Sequence, residues 1–183
     1  MNSETGRQHF EGKERPTIES TVRLIKELHA EQFDDQGQPY FLHPIRVSQN
    51  VLRLIFPAND PDMVMAALLH DTIEDCGVDA DFLRARGYSE DCIEMVELLT
   101  KPPGDERPYM QVIDDLIASG NKKAMLIKIA DNMDNLHPER SLRAERYQAS
   151  IRKLANAVGL DENSIFEKIA HAPTLYELNS SHM

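Results

Sequence analysis

The sequence predicts an all-α fold. Apolar residues recur at three- and four-residue spacing in one segment after another. Capping residues, glycines and prolines punctuate those segments, and no alternating strand pattern of useful length occurs. At 183 residues the chain is expected to form one helical bundle, long enough to bury a core. Residues 1–16 read as a polar lead-in and residues 17–183 as the domain.

In chain order, Thr17 or Ser20 caps a first helix running to about Phe33, with Val22, Leu24, Ile25, Leu28 and Ala30 as its apolar positions. Residues 34–39 form a loop by composition. Pro44 suits the first turn of a helix, which puts His43 at the cap and Ile45, Val47, Val51, Leu52 and Ile55 behind it. Pro57 breaks the chain, and Pro61 opens the helix that leads into His70 and Asp71. A short helix covers Asp79–Arg86, and Ser89 caps a helix to Thr100 with Ile93, Val96 and Leu99 on its face. Residues 101–108 form a loop, followed by a helix over Tyr109–Ala118. Lys122–Leu136 carries Met125, Leu126, Ile129, Met133 and Leu136 as its stripe. The last helices span Ser141–Val158 and Asp161–Leu178.

Composition narrows the function. A formal net charge of −11 argues against nucleic-acid binding, which depends on neutralising phosphates with Lys and Arg. A small anionic ligand would need a cation and a local basic cluster. The polar N-terminus does not resemble a secretory signal, and no apolar run approaches the ~20 residues of a membrane span. Cys76 and Cys92 match no zinc or redox spacing, so a reducing, cytoplasmic setting is expected.

Chemistry concentrates in Ala66–Cys76, where an apolar run delivers His70-Asp71 and then Glu74-Asp75. Charges placed against apolar sequence persist when paired or bound to a metal. If the helix continues, Glu74 lies over His70 and Asp75 over Asp71. His43, His70, Asp71 and Asp131 together offer two imidazoles and two carboxylates, a set suited to an octahedral ion such as manganese or iron with positions left for water and a phosphate oxygen. The residues Asp131–Asn135 lack the glycine and terminal Glu of a calcium loop. Zincin, cysteine-rich zinc, phosphate-loop and serine-elbow motifs are absent. Water activated by a metal is therefore the expected nucleophile.

His43, His70-Asp71 and Asp131 in this order resemble the HD-domain metal-dependent phosphohydrolases. The likeness is closer to the hydrolase domain of RelA/SpoT homologues and the stand-alone small alarmone hydrolases. It rests on Gly37-Gln38-Pro39-Tyr40-Phe41-Leu42-His43-Pro44, on Ala66 to Asp75, on Leu99-Thr100-Lys101, and on Leu126-Ile127-Lys128-Ile129-Ala130-Asp131 with Asn135. His29 and Gln32 also fit the family's His-x-Gly-Gln pattern, with Glu31 in place of its Gly. The resemblance spans residues 25–160 or so. It implies an HD-domain helical bundle in which His43, His70, Asp71 and Asp131 hold one Mn2+. It also implies that Glu74 and Asp75 position or deprotonate the attacking water, and that Asn135 touches the nucleotide sugar. Lys101 and Lys128 are candidates for phosphate contact or structural pairing, and Tyr40 joins them as a candidate substrate contact. The implied reaction removes the 3′-pyrophosphate from (p)ppGpp or (p)ppApp, with no synthetase domain expected in this chain.

Three departures bear on specificity. Asp34-Asp35 stands where such hydrolases carry an Arg-Lys pair, and Asn132 and Asp134 replace a usual Arg and His. Reversed charge at that end should weaken a guanine tetraphosphate. It leaves room for an adenine alarmone whose amino group donates to Asp34 or Asp35, with Lys26, Arg46 or Arg107 as replacement cations. A nucleoside monophosphate or the 2′-phosphate of NADPH are alternative substrates, and a non-catalytic nucleotide-binding module is the alternative from another class.

Overall fold

The computed structural model describes residues 15–55, 57–136 and 141–171, which hold helices and turns and a single isolated bridge between Phe33 and Pro39. The expected lead-in before residue 15 and the last turns of the final helix, beyond residue 171, lie outside the described residues. The all-α expectation holds among those described.

Helix α1 (Ile18–Leu28) opens on a capping box that uses both expected residues. Thr17 Oγ1 accepts from the Ser20 amide at 3.1 Å, and Ser20 Oγ accepts from the Thr17 amide at 2.8 Å. The helix stops at Leu28 rather than near Phe33. His29 ends it with a buried ring whose Nδ1 lies 2.7 Å from Gln32 Oε1, and the chain then folds back on itself. The Tyr40 amide donates to Gln32 O and the Asp34 amide to Gln38 O, closing a loop in which Gly37 takes φ 74°. Ala30 is exposed, and so is Phe33.

Helix α2 (Leu42–Ile55) begins earlier than expected. The Leu42 and His43 amides bond to Pro39 O and Tyr40 O, which extends the first turn backward and places His43 inside it rather than at the cap. Val47, Val51 and Leu54 fill the core side, with Ile45, Leu52 and Ile55 packed partly against it. Asp60 caps α3 (Pro61–Leu69) through the Met63 amide at 3.0 Å. Every residue from Met63 to Leu69 is buried.

The remaining helices are α4 (Thr72–Asp75), α5 (Ala80–Ala85), α6 (Glu90–Leu99), α7 (Tyr109–Ala118), α8 (Lys122–Asp134), α9 (Ser141–Val158) and α10 (Glu162–His171). Asp79, Ser89 and Asn121 cap α5, α6 and α8. The core centres on α3, which packs against α1, α2, α6 and α8. Helix α8 also touches α7 and α9, so its burial extends beyond one stripe. Met125 and Ile129 are buried as expected, but so are Ile127, Ala130 and Asn132, while Leu126, Met133 and Leu136 are only partly covered.

Asn132 has no exposed surface. Its Nδ2 donates to Ser150 Oγ at 2.8 Å and its Oδ1 accepts from Tyr109 Oη at 2.6 Å, tying α8 to α9 and α7. Truncation would leave the buried Ser150 hydroxyl without its Asn132 donor and Tyr109 Oη without this acceptor. Asn132→Ala is expected to lower the unfolding free energy by about 1–3 kcal/mol, read as a lower urea midpoint; an unchanged midpoint would contradict the assignment.

Candidate metal centre and the cavity above it

The end of α3 is where local chemistry turns into a site. A helix C-terminus leaves carbonyls without partners. Here His70 Nδ1 lies 2.9 Å from Ala67 O, and Thr72 Oγ1 donates to Leu69 O at 2.7 Å. These side chains satisfy the last turn, and the chain bends at Asp71 (φ −98°, ψ −5°) before α4 begins. The condition that the helix continue through Glu74 and Asp75 is therefore not met: it is interrupted at Asp71. The Asp75 amide still reaches Asp71 O at 2.8 Å, so one turn of register survives the bend.

The carbonyl of Ala67 can only accept, so His70 Nδ1 carries the proton and Nε2 presents its lone pair. That Nε2 is buried and is the one side-chain polar atom among the described residues that lacks both solvent and a hydrogen-bond partner. It lies 3.0 Å from Asp71 Oδ2, another acceptor. From α2, His43 Nε2 comes to 3.6 Å from Asp71 Oδ2. The three residues offer ligand atoms all within 4.8 Å of one another. Two imidazole lone pairs and a carboxylate facing each other call for a positive charge between them, and nitrogen with oxygen donors fits a divalent transition metal.

Asp131, the fourth expected ligand, comes from α8 and stands beside this trio rather than within it. Its Oδ1 is 3.3 Å from His43 Nε2 and 3.9 Å from His70 Nε2. Lys128 Nζ donates to its Oδ2 at 2.7 Å and Asn135 Nδ2 to its Oδ1 at 2.6 Å. Lys128 thus takes the structural pairing that was one of its two expected roles, and Asn135, expected at the nucleotide sugar, engages Asp131 as well. Tyr40 donates its hydroxyl to Asp71 Oδ2 at 2.6 Å. Lys101 contributes its backbone amide to Glu74 Oε2 at 3.0 Å and does not line the cavity.

Electrostatics follow from this crowding. Burial opposes protonation of His43, but the carboxylates of Asp131, Asp134 and Asp71 outweigh it and push its pKa up to about 10, so without a cation a proton stands on the nitrogen whose lone pair a metal would take. Burial likewise opposes ionisation of Asp71 and Asp131, yet His70 for the first and Lys128 with His43 for the second hold both well below the usual carboxylate range. Asp75 moves the other way: desolvation, then the charges of Asp71 and Glu74, raise it.

Above the cluster opens a cavity of about 690 Å³. Glu74, Asp75, Tyr40, Lys128 and Asn135 line it, together with residues the sequence did not single out: Tyr109, Arg143 and Tyr147. Asp34 reaches its wall, but its Oδ1 also accepts the Gln36 and Gln38 amides at 2.9 Å each and so pins the loop. Arg46 lines the mouth with its guanidinium forked onto Asp134. Arg107 is tied to Asp105 and Asp115, and Lys26 lies over the Phe41 ring. Among the described residues no helix is long and apolar enough to cross a membrane.

The chain matches the HD domain family over residues 21–171. It is 30% identical over 125 residues to a guanosine-3′,5′-bis(diphosphate) 3′-pyrophosphohydrolase of Aquifex aeolicus, a stretch covering 65% of this chain and 17% of that protein. It is 32% identical over 133 residues to the protein of that name in Haemophilus influenzae, covering 67% and 19%. A GTP pyrophosphokinase of Streptomyces coelicolor is 28% identical over 141 residues, covering 74% and 16%. The chain thus spans about a fifth of the length of these curated relatives. Its fold is similar to a solved structure described as a metazoan ortholog of SpoT, with a TM-score of 0.66 at 24% identity, covering 87% of this chain and 95% of that one.

Asp71→Ala is expected to abolish divalent-cation binding in calorimetry with Mn2+ as the probe while the far-ultraviolet dichroism stays helical. Binding retained at wild-type strength would dissolve the cluster as a metal centre.

Proposed function

The chain belongs to the HD domain family, and from that premise we propose that it is a metal-dependent hydrolase removing the 3′-pyrophosphate from a (p)ppGpp- or (p)ppApp-type nucleotide. The observation that carries this reading is the orphaned His70 Nε2, buried against Asp71 and His43, which themselves line the cavity. Similarity to relatives named for that reaction supports the substrate class.

The ligands in this reading are His43, His70, Asp71 and Asp131, and the ion is Mn2+. A divalent cation there would polarise a phosphoryl oxygen and acidify water at the phosphorus. The chain does the rest. Tyr40 and Asn135 donate to ligand oxygens, and Lys128 compensates Asp131, so the carboxylates keep their orientation. Asp75 and Glu74 stand on the cavity wall as proton acceptors, with Glu74 steadied by the Lys101 amide. The raised pKa of Asp75 moves it toward the neutral range in which a general base works best. Water oxygen would bond to the 3′ phosphorus and give a proton to the carboxylate pair, the bond from that phosphorus to the 3′ oxygen would break, and the proton would pass from the carboxylates to the 3′ oxygen as pyrophosphate separates.

One observation favours a second reading, the same cleavage on a less anionic phosphate ester. The wall carries Asp34, Asp71, Glu74, Asp75, Asp131 and Asp134 against Arg46, Lys128 and Arg143, and two of those cations are paired within the protein. A panel of (p)ppGpp, (p)ppApp, nucleoside monophosphates and NADPH separates the readings. Pyrophosphate release from either alarmone with Mn2+ present is the expected result; turnover of neither, with cation bound, removes the leading one. Glu74→Ala is expected to keep the cation and lose about 10²–10⁴-fold in turnover, measured as pyrophosphate released at saturating substrate. Full activity in that variant would reassign the proton acceptor.

A further inference from the structure

On the premise that His43 is a ligand, we propose that Asp134, clamped by Arg46, is a positioning residue that fixes the tautomer and the aim of that imidazole. The arrangement is built from two helices. His43 and Arg46 lie three residues apart on α2, and Asp131 and Asp134 lie three apart on α8, so each pair shares a face. The faces meet. Asp134 Oδ2 is 2.8 Å from His43 Nδ1, while Arg46 Nε and Nη2 donate to Asp134 Oδ1 and Oδ2 at 2.7 and 2.9 Å.

A carboxylate can only accept, so the ring proton sits on Nδ1 and the Nε2 lone pair is turned toward Asp71 and Asp131. The guanidinium fork holds both carboxylate oxygens in one plane, so the ring is held as well. His70 reaches the same tautomer by a different route, through the Ala67 carbonyl of its own helix. In the first turn of α2, His43 takes its partner from α8, so its orientation depends on how the two helices pack. Hydrogen-bonded partners of this kind set the tautomer and basicity of a ligating imidazole, and their loss costs about 10–100-fold in metal affinity. Arg46 is about half exposed at the cavity mouth, so one side chain touches both the solvent entrance and the carboxylate behind the ligand.

Asp134→Asn tests this sharply. The amide keeps the shape but carries one acceptor oxygen and one NH2. Whichever way it turns, the NH2 faces an N–H of Arg46, and in one orientation it also faces His43 Nδ1 and would draw the ring proton to Nε2. The fork, or the fork and the tautomer together, is lost. Asp134→Glu restores a carboxylate one methylene longer.

The experiment combines calorimetric titration with Mn2+ and 15N spectroscopy of the histidine rings in the full chain. In the cation-free wild type, His43 should carry a proton on Nδ1. Asp134→Asn should weaken Mn2+ binding about 10–100-fold, and Asp134→Glu should recover part of it, with thermal melts reporting that both variants fold. Wild-type Mn2+ affinity in Asp134→Asn, or a wild-type His43 whose Nδ1 carries no proton, overturns the proposal; the second measurement needs no variant. A wild-type chain that binds no Mn2+ overturns the metal-centre reading itself, which keeps the two failures distinguishable.

Discussion

The structure turns on a concentration of acceptors at the largely buried floor of the cavity. Two imidazole nitrogens and the carboxylates of Asp71 and Asp131 converge in a space where His70 and Asp131 are almost wholly covered. Like partial charges at this spacing repel strongly in a dry interior. The protein answers on the outer side of each group: Tyr40 donates to Asp71, Lys128 and Asn135 donate to Asp131, and Asp134, forked by Arg46, accepts from His43 Nδ1. These partners lie outside the cluster, whose facing nitrogen and oxygen atoms are of the kind that hold a divalent cation.

Helix packing makes the convergence possible. Helix α3 is apolar on all sides because α1, α2, α6 and α8 surround it, and that burial carries its C-terminal end into the interior. A buried helix end is unfavourable unless its carbonyls find partners. His70 and Thr72 provide them locally, so one imidazole nitrogen serves the fold while the other is free for the site. The same device bends the chain at Asp71 and brings its carboxylate toward His43. Stability and chemistry share side chains at this junction.

Charge balance distinguishes this cavity. Its cations are mostly committed: Lys128 to Asp131 and Arg46 to Asp134. Asp34 spends one oxygen on its own loop, which makes it a turn residue before it is a contact for a base. In the proposed reading, substrate selection would depend on how far a cation and Arg143 offset the surrounding acids beside the rings of Tyr109 and Tyr147.

The helical class, the caps at Thr17 and Ser89 and the pieces of the site were legible in the order of residues, because helix periodicity and capping chemistry are local. His43, His70, Asp71 and Asp131 stood out for the same reason: ionisable groups set against apolar runs. Other features depended on contacts between distant segments. The early stop of α1 follows from His29 turning inward to meet Gln32, and the break at Asp71 from two side chains satisfying carbonyls. The duties of Lys128 and Asn135 toward Asp131, the wholly buried Asn132, and the Arg46–Asp134–His43 chain were visible only as residue names along the sequence. Local spacing decides which face of a helix a side chain occupies. Which partner it meets there, and so which of its atoms remains free for chemistry, is fixed by how α2, α3 and α8 pack together.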